Sequence, residues 1–97
     1  MIKREDATGG KVKVTFALPY EEGQPAISLV GDFNDWNPSA NRLVKRRNGT
    51  ASVAVTLEKG KTYRFRYYRD DDVWLNDREA DDYEFTEHGS ENCLLRL

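Results

Sequence analysis

A chain of 97 residues holds one domain. That is far short of the about 250 residues of an (α/β)₈ barrel, which excludes catalysis on a large scaffold. Charged residues reach 33% yet nearly cancel, 15 basic against 17 acidic for a net of −2, which argues against the net basic face of a nucleic-acid binder. No apolar run is long enough to span a membrane, and Met1-Ile2-Lys3-Arg4-Glu5-Asp6 lacks the apolar core of a signal peptide. With Cys93 as the single cysteine, no internal disulfide forms; a reducing, cytoplasmic setting is expected.

Residues 1–10 are polar and end in Gly9-Gly10, which predicts a mobile arm ahead of a folded module over 11–97. From there apolar residues recur with a period of two. Val12, Val14, Phe16 and Leu18 alternate with Lys11, Lys13, Thr15 and Ala17 in a strand that Pro19 ends. A mostly buried strand follows between Pro25 and Gly31, and a third carries Val53, Val55 and Leu57. In the fourth, Tyr63, Phe65 and Tyr67 alternate with Arg64, Arg66 and Tyr68; Cys93 to Leu97 form the last. Asn48-Gly49 suits a type I′ hairpin, because both residues tolerate positive φ. Short strands broken by turns every 8–12 residues or so, with no helical stripe, predict an all-β antiparallel β-sandwich.

Charge is segregated along the chain. Residues 42–69 hold nine bases against one acid, Glu58, and residues 70–91 hold ten acids against one base, Arg78. The expectation is two solvated surfaces whose charges pair across strands.

The densest local pattern is Leu29-Val30-Gly31-Asp32-Phe33-Asn34-Asp35-Trp36-Asn37-Pro38. Asn and Asp side chains bond their own backbone in such turns and stiffen the loop. Phe33 is expected to pin the loop to the core, leaving Trp36 to present its ring. Trp74 follows the turn Asp70-Asp71-Asp72 and precedes Asn76-Asp77. An indole beside a polar turn has an apolar body and an N–H that wants a wet partner. Sugars offer an apolar C–H face inside a rim of hydroxyls. Flat aromatic platforms flanked by Asn, Arg or Ser side chains match that chemistry.

The run Val30-Gly31-Asp32-Phe33-Asn34-Asp35-Trp36, then Tyr63-Arg64-Phe65-Arg66-Tyr67, Trp74, Asn76-Asp77 and Gly89-Ser90-Glu91-Asn92, resembles a family-48 carbohydrate-binding module. That family includes isoamylase N-terminal early-set domains and the glycogen-binding domain of AMP-activated protein kinase beta subunits. The resemblance covers about residues 11–97 and rests on several motifs in order. It implies an immunoglobulin-like (early-set) β-sandwich and non-catalytic binding of glycogen, starch or a malto-oligosaccharide. By the same resemblance Trp36 and Trp74 are stacking platforms. Arg66 falls on the family's hydroxyl-bonding basic residue, and His88, Ser90 and Asn92 fall on the segment that inserts into the curve of the glucan. Three positions depart from the pattern. His88 stands for a large apolar residue, Arg66 for a lysine, and the turn before Trp74 is one residue longer and lacks its glycine.

Other chemistry is poorly supported. His88, the single histidine, has no Ser or Cys neighbour with a matching acid, so no nucleophile–base arrangement is expected. The carboxylates crowd solvated turns rather than a cleft, and their spacing matches no EF-hand loop, so neither glycoside hydrolysis nor a metal site is expected. Asn48-Gly49-Thr50 is formally a glycosylation sequon and reads as a turn, while Cys93 reads as a buried small hydrophobe. No cofactor is implied. The expected function is a stand-alone glucan-binding module, the alternative a module that docks on a glycogen- or starch-metabolising enzyme without binding sugar itself.

Overall fold

The computed structural model describes every residue except His88, and two antiparallel sheets account for most of them. Strands β1 (Ile2–Ala7), β2 (Lys11–Pro19), β5 (Thr50–Glu58) and β4 (Val44–Lys45) form one sheet in the order β1-β2-β5-β4. The other runs β3-β6-β9-β8, from β3 (Ile27–Gly31), β6 (Thr62–Arg69), β9 (Glu91–Arg96) and β8 (Asp82–Phe85). A ninth strand, β7 (Val73–Leu75), pairs with the last third of β6, next to where β9 pairs with its first half. The arrangement is that of an immunoglobulin-like β-sandwich, as the period of two predicts.

The alternating residues meet between the sheets. Val12, Val14 and Phe16 of β2 and Ala51 and Leu57 of β5 face Leu29, Phe65, Tyr67, Cys93 and Leu95 from the opposite layer. Phe16, Phe65 and Tyr67 pack edge to face, with ring centroids 5.0–6.5 Å apart, the geometry that aromatic quadrupoles favour. Cys93 is fully buried, as expected.

Two local expectations are corrected. Residues 2–7 are an edge strand rather than a mobile arm: β1 pairs with β2 from Ile2↔Phe16 to Ala7↔Lys11. Only its first residue is partly buried, so backbone pairing holds a strand that has no apolar face to announce it. The β4–β5 turn is a three-residue loop over 47–49 rather than a two-residue type I′ turn. Lys45 pairs with Ala51, the Arg46 N–H donates to the Thr50 carbonyl at 2.8 Å, and of Asn48 and Gly49 only Gly49 has positive φ, 78°. That is the pattern of a three-residue hairpin with glycine at its left-handed position.

The segregated charges pair across strands and turns, as expected. Arg42 bonds Asp70, Arg64 holds Glu84 with both its Nε and a terminal nitrogen, and Arg69 grips Asp71 in the same way.

Candidate functional site

The outer face of the five-stranded sheet is covered over β3 and open over β6 and β7. Covering it is the loop from Asp32 to Leu43, which opens with a 3₁₀ turn, Asp32–Asn34. Gly31 begins the loop because nothing larger fits: a Cβ there would stand 2.5 Å from the Arg64 carbonyl oxygen and 2.6 Å from Phe33 Cε1. Asn34 is the hub of the loop. Its Oδ1 accepts the Gly31 N–H at 3.0 Å, and its Nδ2 donates to the Leu29 carbonyl at 2.9 Å and to Asn41 Oδ1 at 2.8 Å. Phe33 leans on the core rim, its ring 6.2 Å from that of Tyr63. The Ser28 hydroxyl, fully buried, donates to the Pro38 carbonyl and pulls the far side of the loop onto β3.

These bonds hold Asp35 and Trp36 in a conformation that L-residues avoid. Both have φ of 57°, a left-handed geometry that costs on the order of 1–2 kcal/mol per residue. The Trp36 backbone N–H donates to the Gly31 carbonyl at 2.9 Å and fixes the main chain that carries the indole. Strain held in a bulky residue by its surroundings is a recurring mark of functional loops.

Trp74 arrives from the other side. Cross-strand pairing sets it opposite Tyr68, with ring centroids 5.0 Å apart. The longer turn before it keeps this register because Asp72 takes the left-handed position, with φ of 66°. Its carboxylate then accepts the Tyr68 hydroxyl at 3.1 Å. That bond holds the Tyr68 hydroxyl above its ordinary pKa. The three aspartates of the turn diverge to separate partners, Asp70 to Arg42, Asp71 to Arg69 and Asp72 to Tyr68.

The two indoles line one open groove of about 310 Å³ together with Val30, Pro38, Tyr68 and Asp72. Trp74 is 45% exposed and Trp36 is partly exposed. Arg66 flanks the groove: its guanidinium lies over the Trp74 ring, 5.1 Å from the centroid, while Nε donates to Asn76 Oδ1 at 3.0 Å. The arginine is thereby held by a neutral amide and an aromatic face, and among the described residues no carboxylate lies within ion-pair distance of it.

Ser90 and Asn92 do not line this groove. The Ser90 hydroxyl is tied to the Thr86 hydroxyl at 2.9 Å in the turn between β8 and β9. Asn92 stands on β9 opposite Glu84, half-buried, out of step with the inward Cys93 and Leu95 and therefore on the outer face that also carries Arg66. The expectation for His88 lies outside the described residues. Tyr68 and Asp72 were not singled out from the sequence as groove residues. The alternation of β6 does place Tyr68 on the outer face, but its meeting with Trp36 depends on a loop from another strand.

Behind the site, Asp77 is buried at 2% exposure. Its Oδ2 accepts the Tyr67 hydroxyl at 2.7 Å and its Oδ1 the Glu79 N–H at 2.8 Å. Burial first, and then the Asp77 carboxylate, push the Tyr67 hydroxyl far above its ordinary pKa. It stays protonated and works as a donor tying the segment after Trp74 to the core.

No family model matches the chain. Among curated proteins it is similar to an amylopullulanase of Thermoanaerobacter thermohydrosulfuricus, 34% identical over 62 residues. An amylopullulanase of Thermoanaerobacterium thermosulfurigenes matches at 34% over 61 residues. Each match takes in 60% of this chain and only 4% and 3% of the respective relative. The chain thus corresponds to a small part of two much larger enzymes.

Proposed function

We propose that the chain is a non-catalytic α-glucan-binding module of the family-48 type, whose groove takes the glucose rings of glycogen, starch or a malto-oligosaccharide. The observation that carries this reading is the meeting of Trp36 and Trp74 in one open groove. They come from different parts of the chain and are not consumed by the core. Sugar rings stack their C–H faces on the indoles, and Tyr68, packed against Trp74, supplies a third aromatic surface in the groove. Arg66 and Asn76 at the flank, with Asp72, bond the hydroxyl rim; Ser90 and Asn92 belong to a more distant part of the same contact. The partial similarity to amylopullulanases, named for amylo- substrates and pullulan, supports the same ligand class.

So open a groove holds few sugar units, and its affinity falls on the order of micromolar to millimolar. Many such contacts on one polymer restore useful binding through avidity. The docking alternative loses the support it drew from segregated charge, since most of those charges are paired inside the domain.

The test is a tryptophan-fluorescence titration with maltoheptaose and β-cyclodextrin. A saturable change in the wild type that disappears in Trp36→Ala is the expected outcome. A flat titration to millimolar ligand with an intact fold would hand the function to protein docking. Incubation with amylose should release no reducing ends.

A further inference from the structure

Of the nine cations between residues 42 and 69, five pair with carboxylates: Arg42, Lys59, Lys61, Arg64 and Arg69. Arg66 lies on Trp74. The remaining three, Lys45, Arg46 and Arg47, are consecutive, and among the described residues none has a carboxylate within ion-pair distance. They converge on a pocket of about 260 Å³ at the β4–β5 turn, lined also by Tyr20, Glu22 and Gly49.

The pocket is built rather than incidental. The Tyr20 N–H donates to the Gly49 carbonyl at 2.9 Å, which staples the segment after β2 to the hairpin. The Tyr20 hydroxyl donates to the Gln24 carbonyl, so the ring is fixed at both ends. Lys45 Nζ sits over that ring at 5.0 Å from its centroid. Arg46 Nε donates to Ser52 Oγ at 2.9 Å, which leaves both terminal nitrogens without an acceptor among the described residues. Two cations are thus held by neutral partners, ordered but not neutralised, which lowers the ordering cost of binding an anion. The volume falls below the roughly 300 Å³ at which pockets for drug-sized ligands begin, so the occupant is a small group. These residues lie at the β4–β5 turn of the four-stranded sheet and in the segment that follows β2, whereas the aromatic groove lies on the other sheet.

We propose that this pocket binds a phosphate monoester or inorganic phosphate, with Arg46 and Arg47 donating to its oxygens, Lys45 supplying charge and the Tyr20 ring forming the wall. Glu22 opposes the anion and sets the affinity low. The test is a ¹⁵N–¹H spectrum of the full chain titrated with inorganic phosphate and, separately, with glucose 6-phosphate, against sodium chloride at matched ionic strength. The expected result is saturable shifts at the Arg46, Arg47 and Gly49 amides beyond those caused by chloride. Arg47→Ala should weaken binding about three- to tenfold, and Glu22→Gln should strengthen it about two- to fivefold. Equal affinity for the two ligands assigns the site to phosphate alone. Tighter binding of the ester adds contact between its sugar ring and Tyr20. Shifts no larger than chloride produces, for both ligands, overturn the proposal, as does an Arg47→Ala protein with unchanged affinity.

Discussion

Replacing Trp74 by alanine separates what the indole does for the ligand from what it does for the fold. An indole side chain can bury about 250 Å², so 45% exposure leaves about 110 Å² open to water. A glucose ring resting on one face covers about half of that, and about 55 Å² at 25 cal/mol per Å² is worth roughly 1.4 kcal/mol, a tenfold change in affinity. The fold loses a comparable amount, because both the tilted contact with Tyr68 and the Arg66 guanidinium over the ring are removed, and on an exposed surface each such contact is worth about 0.5–1.5 kcal/mol. Isothermal titration with β-cyclodextrin measures the first quantity and a thermal melt the second. Trp74→Phe should bind at an intermediate level, since it keeps a smaller platform. If a folded Trp74→Ala protein bound within about twofold of the wild type, the sugar would not rest on this ring and the stacking proposal would fail.

Three further outcomes follow from the supports beneath the groove. Gly31→Ala drives a methyl group into the Arg64 carbonyl and the Phe33 ring, so the domain should lose about 1–3 kcal/mol and sugar affinity with it; an unchanged melting midpoint would show that the loop yields freely. Asp77→Ala strips the buried Tyr67 hydroxyl and the Glu79 N–H of their acceptor and should cost about 2–3 kcal/mol, read from the urea midpoint at constant slope; a loss under about 0.5 kcal/mol would mean that water replaces the carboxylate. The carboxyls of Asp71, Asp82 and Glu84 are held below their ordinary pKa by hydrogen bonds from Arg69, Arg96 and Arg64. Because the folded-state value is the lower one, their contribution is full above the unfolded range, near about pH 4–5, and is lost as pH falls from there through the lower folded-state values. The melting midpoint should therefore drop between pH 6 and 3 or so and drop less in about 1 M salt, because these pairs are exposed; a midpoint that holds or rises through that interval would contradict the pairing.

The layers of the sandwich were legible in the chain because a strand's period of two is a local property. Val12-Val14-Phe16 and Tyr63-Phe65-Tyr67 state which side is core without reference to any partner. Strands β1, β4 and β7 carry no such statement. The first has one partly buried residue and the others are two and three residues long, so their pairing is decided by the backbone of the neighbouring strand. The cross-strand ion pairs were legible in outline from charge segregation, but not which cations would be left over. Arg46 and Arg47 stand apart from Arg64 and Arg69 because, among the described residues, no carboxylate is folded within ion-pair distance of them.

Aromatic chemistry beside polar turns pointed to both tryptophans, and the resemblance to a family-48 module added the arginine between them in sequence. That they share one groove was a tertiary decision. It needed Asn34, Ser28 and a glycine without room for a methyl group to fold the loop after β3 back over the sheet, and Asp72 in a left-handed turn to keep Trp74 opposite Tyr68. Local alternation tells each residue which face it occupies. Which residues become neighbours on that face is set by register and loop closure, which couple positions about forty residues apart.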